Sequence, residues 1–163
     1  MHISWTKPRL ERETDEYFEN DYTKQFFKHR LDHEFKTRSL LLRFLAGGAL
    51  KPLSFGYLRR HAGDNLTLGG TDFEHELRNT QYAANYERML NTIQTEGKLV
   101  LPAPILIEYE TSQGTPLYYG FAGNRRMNLA WHLGLEVVFW IVPTRTHRPL
   151  LAWIKTSNPM KVP

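Results

Sequence analysis

Cysteine is absent from all 163 residues, which excludes disulfides, thiolate-held metals and cysteine nucleophiles in one step. Long apolar runs are lacking as well. The longest, residues 39–50, is broken by Arg43 and by Gly47 and Gly48, whereas a membrane-crossing helix needs about 20 predominantly apolar residues. The N-terminal residues, among them His2, Lys7 and Pro8, do not make the apolar core of a signal peptide. A cytoplasmic protein without a membrane partner is the expectation. Internal repeats and low-complexity segments are missing too. A strong excess of one charge is also absent: 21 Lys and Arg against 17 Asp and Glu leave a net charge of +4. That mild surplus favours polyanions such as DNA, RNA or nucleotides without requiring them, and an ordinary basic surface explains it equally well. Seven histidines would add charge at mildly acidic pH.

What is present is the composition of a folded domain, 41% hydrophobic and 23% charged, outside the disordered and membrane classes. Residues 11–35 mix charge with aromatics near helical spacing and predict an amphipathic helix. Residues 37–45 predict a second, more buried helix that Gly47 and Gly48 stop. Turn signals dominate residues 52–70, around a short segment 55–60. The composition shifts there, so the chain divides into a helical N-terminal extension, 1–66, and a second unit, 67–163. In the second unit, Tyr86, Met89, Leu90 and Ile93 mark a helix that Gly97 ends. Residues 105–109 and 117–121 predict two strands paired as a hairpin across the turn 111–116. Gly123 opens a helix that Gly134 ends, and residues 137–142 form an apolar strand, central and covered on both faces. Residues 150–154 are expected to add a last helical turn or two. The order is that of an α/β or α+β domain.

A strand running into Gly123 and straight into a helix places backbone N–H groups and the positive end of a helix dipole at one point, which is an anion site. Glycine allows a close backbone approach, and Arg125 and Arg126 bring guanidinium forks that suit phosphate oxygens. Adjacent helical residues diverge, so one arginine should meet phosphate and the other solvent, a carboxylate or DNA. The competing reading is an ordinary strand-Gly-helix junction with a solvated arginine pair.

The run Ala122-Gly123-Asn124-Arg125-Arg126-Met127-Asn128-Leu129-Ala130, then Leu133-Gly134-Leu135 and a β-run, resembles the Ala-Gly-Glu-Arg-Arg box of ParB-like proteins. Thr92-Ile93, Gly97 and Pro102 resemble that family's helix-Gly-Pro segment, with one extra residue between Gly97 and Pro102. The resemblance spans residues 86–142 and implies a small ParB/sulfiredoxin-like mixed-sheet domain. It further implies phosphate contacts at Gly123, Asn124, Arg125 and Arg126, with ATP or CTP as the nucleotide, with or without Mg²⁺. Asn124 departs from the Glu usual in the segregation proteins and puts nucleotide choice in doubt. Sulfiredoxin activity, as the resemblance implies it, needs a cysteine, which this chain does not have. Segregation proteins carry a helix-turn-helix and a dimerisation domain after this fold, whereas about twenty residues follow Val142, so a bare or N-terminally extended version is expected. The implied function is a nucleotide-dependent phosphotransferase or NTP hydrolase working on or near DNA; the alternatives are a non-catalytic DNA-binding module or a ParB-like nuclease.

Catalysis would need carboxylates, and Asp72, Glu74 and Glu76 with His75 form the compact acidic cluster ahead of the domain. The same residues make a solvated helix start, capped by Thr71 or Asp72 with acids in its first turn, and that reading is favoured over catalysis. His29 and His33 share a helical face but have no third ligand in view, so no metal site is assigned. Tyr118, Tyr119 and Phe121 could stack a base, although strand residues are usually core. The N-terminal helices carry Lys24, Lys28, Arg30, Lys36, Arg38 and Arg43 interleaved with aromatics, which could track a nucleic-acid backbone, but they also carry Glu11, Glu13, Asp15, Glu16, Glu19 and Asp21. That mixed balance predicts a helical brace packed on the domain rather than a nucleic-acid track.

Overall fold

The computed structural model describes residues 1–19, 35–63, 66, 83–111 and 113–146. Its elements in chain order are β1 His2–Thr6, α1 Leu10–Glu19, α2 Arg38–Leu45, β2 Ala49–Pro52, α3 Phe55–Arg60 and α4 Ala83–Glu96, followed by β3 Lys98–Pro102, β4 Ile105–Glu110, β5 Pro116–Ala122, α5 Asn124–His132 and β6 Val138–Pro143. Helices and mixed sheets together make an α+β fold. The far end of the predicted helix 11–35 and the predicted turn at 150–154 lie outside the described residues.

Local chemistry accounts for most boundaries. The Thr37 side chain accepts a hydrogen bond from Leu40 N–H at 3.2 Å and starts α2; Ser54 does the same for Tyr57 N–H at 3.1 Å and starts α3. Gly97, with φ +71, lets its N–H bond Ile93 O at 3.0 Å and closes α4. In α1, Glu11 and Glu13 lie in the first turn, where the helix dipole favours acids, and Leu10 and Thr14 are buried.

The main sheet has the order β2-β6-β4-β5. Strands β4 and β5 form the expected antiparallel hairpin, β4 and β6 run parallel, and β2 runs antiparallel to β6. A second, two-stranded sheet pairs β1 with β3 in parallel, from His2↔Lys98 to Thr6↔Pro102. Residues 1–66, read from sequence as helical, thus contribute two strands. Both pair with strands of the C-terminal part.

Side-chain alternation along the strands builds a core on each face of the main sheet. On one face Ile105, Ile107, Tyr119, Trp140 and Val142 pack with Leu41, Phe44 and Leu45 of α2. On the other, Leu106, Tyr118, Phe139 and Ile141 pack with Leu58 of α3, Ile93 of α4, and Met127 and Ala130 of α5. Strand β6 is therefore covered on both sides, which is why it reads as a continuous apolar run.

Candidate functional site

The hairpin strand β5 delivers the chain to Gly123, and α5 begins at the next residue. Gly123 has φ +88, in the left-handed region that a side chain disfavours. A Cβ there would lie 2.6 Å from Arg126 Nη2 and 2.8 Å from Pro104 Cα. The glycine is required because the loop packs directly onto Pro104 and under Arg126. As an N-cap it offers no side chain to the first turn of α5.

The two arginines diverge as helical geometry requires. Arg125 is exposed, as is Asn124, and both border a cleft. Arg126 turns inward: its Nε donates to Pro102 O at 2.9 Å, and its Nη2 lies 3.9 Å from Glu13 Oε1 of α1. That Nη2 is buried and has no hydrogen-bond partner among the described residues. Burial raises the Glu13 carboxyl above its usual pKa against the pull of Arg126. Burial likewise lowers Arg126, against the pull of Glu13. Desolvation leads in both groups because a pair 3.9 Å apart, without a hydrogen bond, recovers only part of the lost hydration.

The cleft has a volume of about 830 Å³. One wall is the Gly123–Met127 turn; the other runs from the end of β1 into α1, and only its α1 part belongs to the helical brace expected from sequence. Among the described residues, Lys7, Arg9 and Arg12 border the cleft with Arg125 and Arg126, and the carboxylates on its lining are Glu13 and Glu16, an excess of three positive charges. Arg12 is paired with Glu16 at 3.4 Å. Aromatic surface comes from Tyr17, whose ring stacks on Phe121 with centroids 5.5 Å apart and planes 18° from parallel.

The second wall is tied to the first through the link between β3 and β4. Thr6 O accepts from Ala103 N–H at 2.8 Å, and Pro104 O accepts from Trp140 N–H at 2.8 Å. Lys7 Nζ lies 5.3 Å from the centre of the Trp140 ring, in cation–π range. Nothing local in residues 6–12 announces this, since the contacts are made with residues far along the chain. The interleaving of acids and bases in that segment was the one available signal.

Of the other sequence candidates, Asp72, Glu74, Glu76, His29 and His33 lie outside the described residues. Tyr118 is core: it is buried, and its hydroxyl donates to Glu108 Oε2 at 2.9 Å. Tyr119 is also largely buried, although it and the half-buried Phe121 both touch the cleft. Among the described residues no group of three or more His, Asp or Glu is placed to hold a metal ion, and no helix is long and apolar enough to cross a membrane. The arrangement can hold an anion: helix-end amides, an exposed arginine and further cations surround one depression. No family model, curated protein or solved structure matches the chain.

Proposed function

We propose that the chain binds the phosphates of a nucleotide, ATP or CTP with or without Mg²⁺, in the cleft at Gly123. The observation that carries this reading is the convergence of the α5 N-terminus, exposed Arg125 and a surplus of cationic side chains on one depression. Its size supports a small molecule, since about 830 Å³ falls within the roughly 300–1,000 Å³ of small-molecule sites. The resemblance of residues 122–130 to the ParB-like box points the same way. Phosphoryl transfer or NTP hydrolysis, on or near DNA, is the activity proposed from that resemblance.

A thermal-shift screen of ATP, CTP, ADP, GTP and oligonucleotides, each with and without Mg²⁺, tests the reading. A ligand that binds only the folded state stabilises it by RT ln(1 + [L]/Kd), about 2.7 kcal/mol at 100 times Kd. Stabilisation by nucleotides that is lost in Arg125→Ala supports the assignment. An unchanged midpoint with every nucleotide defeats it.

A further inference from the structure

We infer that the cleft is selective for polyphosphates, with Lys7, Arg9 and Arg12 gripping the phosphates of a nucleoside di- or triphosphate that extend beyond the one held at Gly123. The inference rests on the phosphate reading of Gly123 and adds to it a second set of contacts, on the far wall, that would set the preference for more than one phosphate.

Three observations carry it. The first is placement. The hydrogen bond from Ala103 N–H to Thr6 O and the stacking of Lys7 on Trp140 fasten the N-terminal wall to residues 103–104, the same short link onto which Gly123 packs. Both walls are thus tied to one short piece of backbone, and cations from both line a common space. The second is charge. A single phosphate group brings about −1.5 to −2, whereas among the described residues the cleft offers five cations against two carboxylates. A monophosphate on Arg125 leaves the far wall uncompensated; a diphosphate or triphosphate matches the surplus. The third is availability. Lys7, Arg9 and Arg12 are exposed, and Arg9 has no acidic partner among the described residues. The Arg12–Glu16 pair is solvent-exposed on both sides and holds Arg12 only weakly.

The experiment is isothermal titration, at fixed ionic strength, of the full chain with AMP, ADP, ATP and inorganic tripolyphosphate, using wild type, Arg125→Ala, Arg9→Gln and the triple variant Lys7→Gln, Arg9→Gln, Arg12→Gln. Wild-type affinity should climb from AMP to ATP by about tenfold or more, and tripolyphosphate should bind without a base. In the triple variant, ATP and tripolyphosphate should weaken by about ten- to hundredfold while AMP changes by less than about threefold. Arg9→Gln should show the same pattern to a smaller degree, and Arg125→Ala should weaken every ligand of the series. Arg9 is exposed and plays no part in fastening the wall, so circular dichroism and the urea midpoint of Arg9→Gln should stay as in wild type, while in the triple variant the same two measurements report any loosening from loss of the Lys7–Trp140 contact. Equal wild-type affinity for AMP and ATP, or a gradient that survives in the triple variant, overturns the polyphosphate inference and leaves the Gly123 reading standing. No binding of any phosphate compound by wild type overturns both. Preference for an oligonucleotide over ATP, abolished in the triple variant, makes the far wall a nucleic-acid track and overturns the inference as well.

Discussion

Glu13 and Arg126 meet between α1 and α5, Oε1 to Nη2 at 3.9 Å, with their side chains 14% and 22% exposed. The contact joins the N-terminal wall of the cleft to the helix that follows Gly123, and it sets a carboxylate against one of the two guanidinium groups that border the cleft beside Gly123. An incoming anion and Glu13 therefore compete for the same arginine. Replacing the carboxylate by the isosteric amide, Glu13→Gln, should raise nucleotide affinity at neutral pH by roughly three- to tenfold, measured by titration calorimetry. A fall in affinity would mean that Glu13 positions Arg126 rather than competing for it.

The same pair governs a pH dependence of stability. Burial holds the folded-state pKa of Glu13 above its usual 4.5, so the folded chain binds this proton at a higher pH than the unfolded chain does. In the window between 4.5 and the raised value, stability contributed by this group grows as pH falls and is lost as pH rises through the folded pKa. Urea midpoints of wild type and Glu13→Gln, measured across mildly acidic pH, should diverge in that window. Parallel profiles would show that Glu13 titrates alike in both states.

Gly123→Ala should destabilise the fold by about 1–3 kcal/mol, because it forces a side chain into the left-handed region. The new Cβ would also press on Pro104 and Arg126. Chemical denaturation measures the loss, and a change below about 0.5 kcal/mol would contradict the close approach described at this turn.

The two neighbouring arginines should separate cleanly. Arg125→Ala is expected to cost about 1.5–3 kcal/mol of nucleotide binding, the range for hydrogen bonds to charged groups, with stability changed by less than about 0.5 kcal/mol. Arg126→Ala removes the donor to Pro102 O and leaves the buried Glu13 carboxylate without its cation, so stability should fall by about 1–3 kcal/mol. Titration and denaturation of both variants check the pair. Equal effects in both assays would erase the distinction.

Trp140 links the core to the cleft, since its indole Nε1–H donates to Leu45 O at 2.8 Å inside the core while its ring carries Lys7. Trp140→Phe removes that hydrogen bond and leaves Leu45 O with only the Gly48 N–H at 3.2 Å, so it should cost about 0.5–1.5 kcal/mol of stability. Gly48 packs under the same indole, where a Cβ would collide with it, so Gly48→Ala should also destabilise. Denaturation midpoints equal to wild type in both variants would remove Trp140 from this role.

Elements defined by their own neighbours were legible in the sequence. Thr37 and Gly47 bracket α2, Gly97 ends α4, the β4/β5 hairpin folds across its turn, and the strand-Gly123-helix junction falls where the residues require it. Periodicity, caps and positive-φ glycines act over a few residues, so their signal survives without the rest of the molecule. The short strands β1, β2 and β3 were not legible. All four residues of β2 are exposed, so no apolar alternation marks it, and only pairing with β6 makes it a strand. The alternation of β1 likewise takes its meaning from β3, some ninety residues away in sequence.

The candidate site divides in the same way. Helical geometry alone dictates that Arg125 and Arg126 point apart; which of them is drawn inward was decided by Pro102 and Glu13, which hold Arg126. The far wall was decided by tertiary structure entirely. Lys7, Arg9 and Arg12 carry no functional reading in the sequence, and they reach the cleft because the Thr6 carbonyl finds the Ala103 amide and α1 then packs its Glu13 against Arg126. Local propensity determines which residues make a helix or a turn, whereas the charge of a cleft is a sum over residues that only long-range packing brings together.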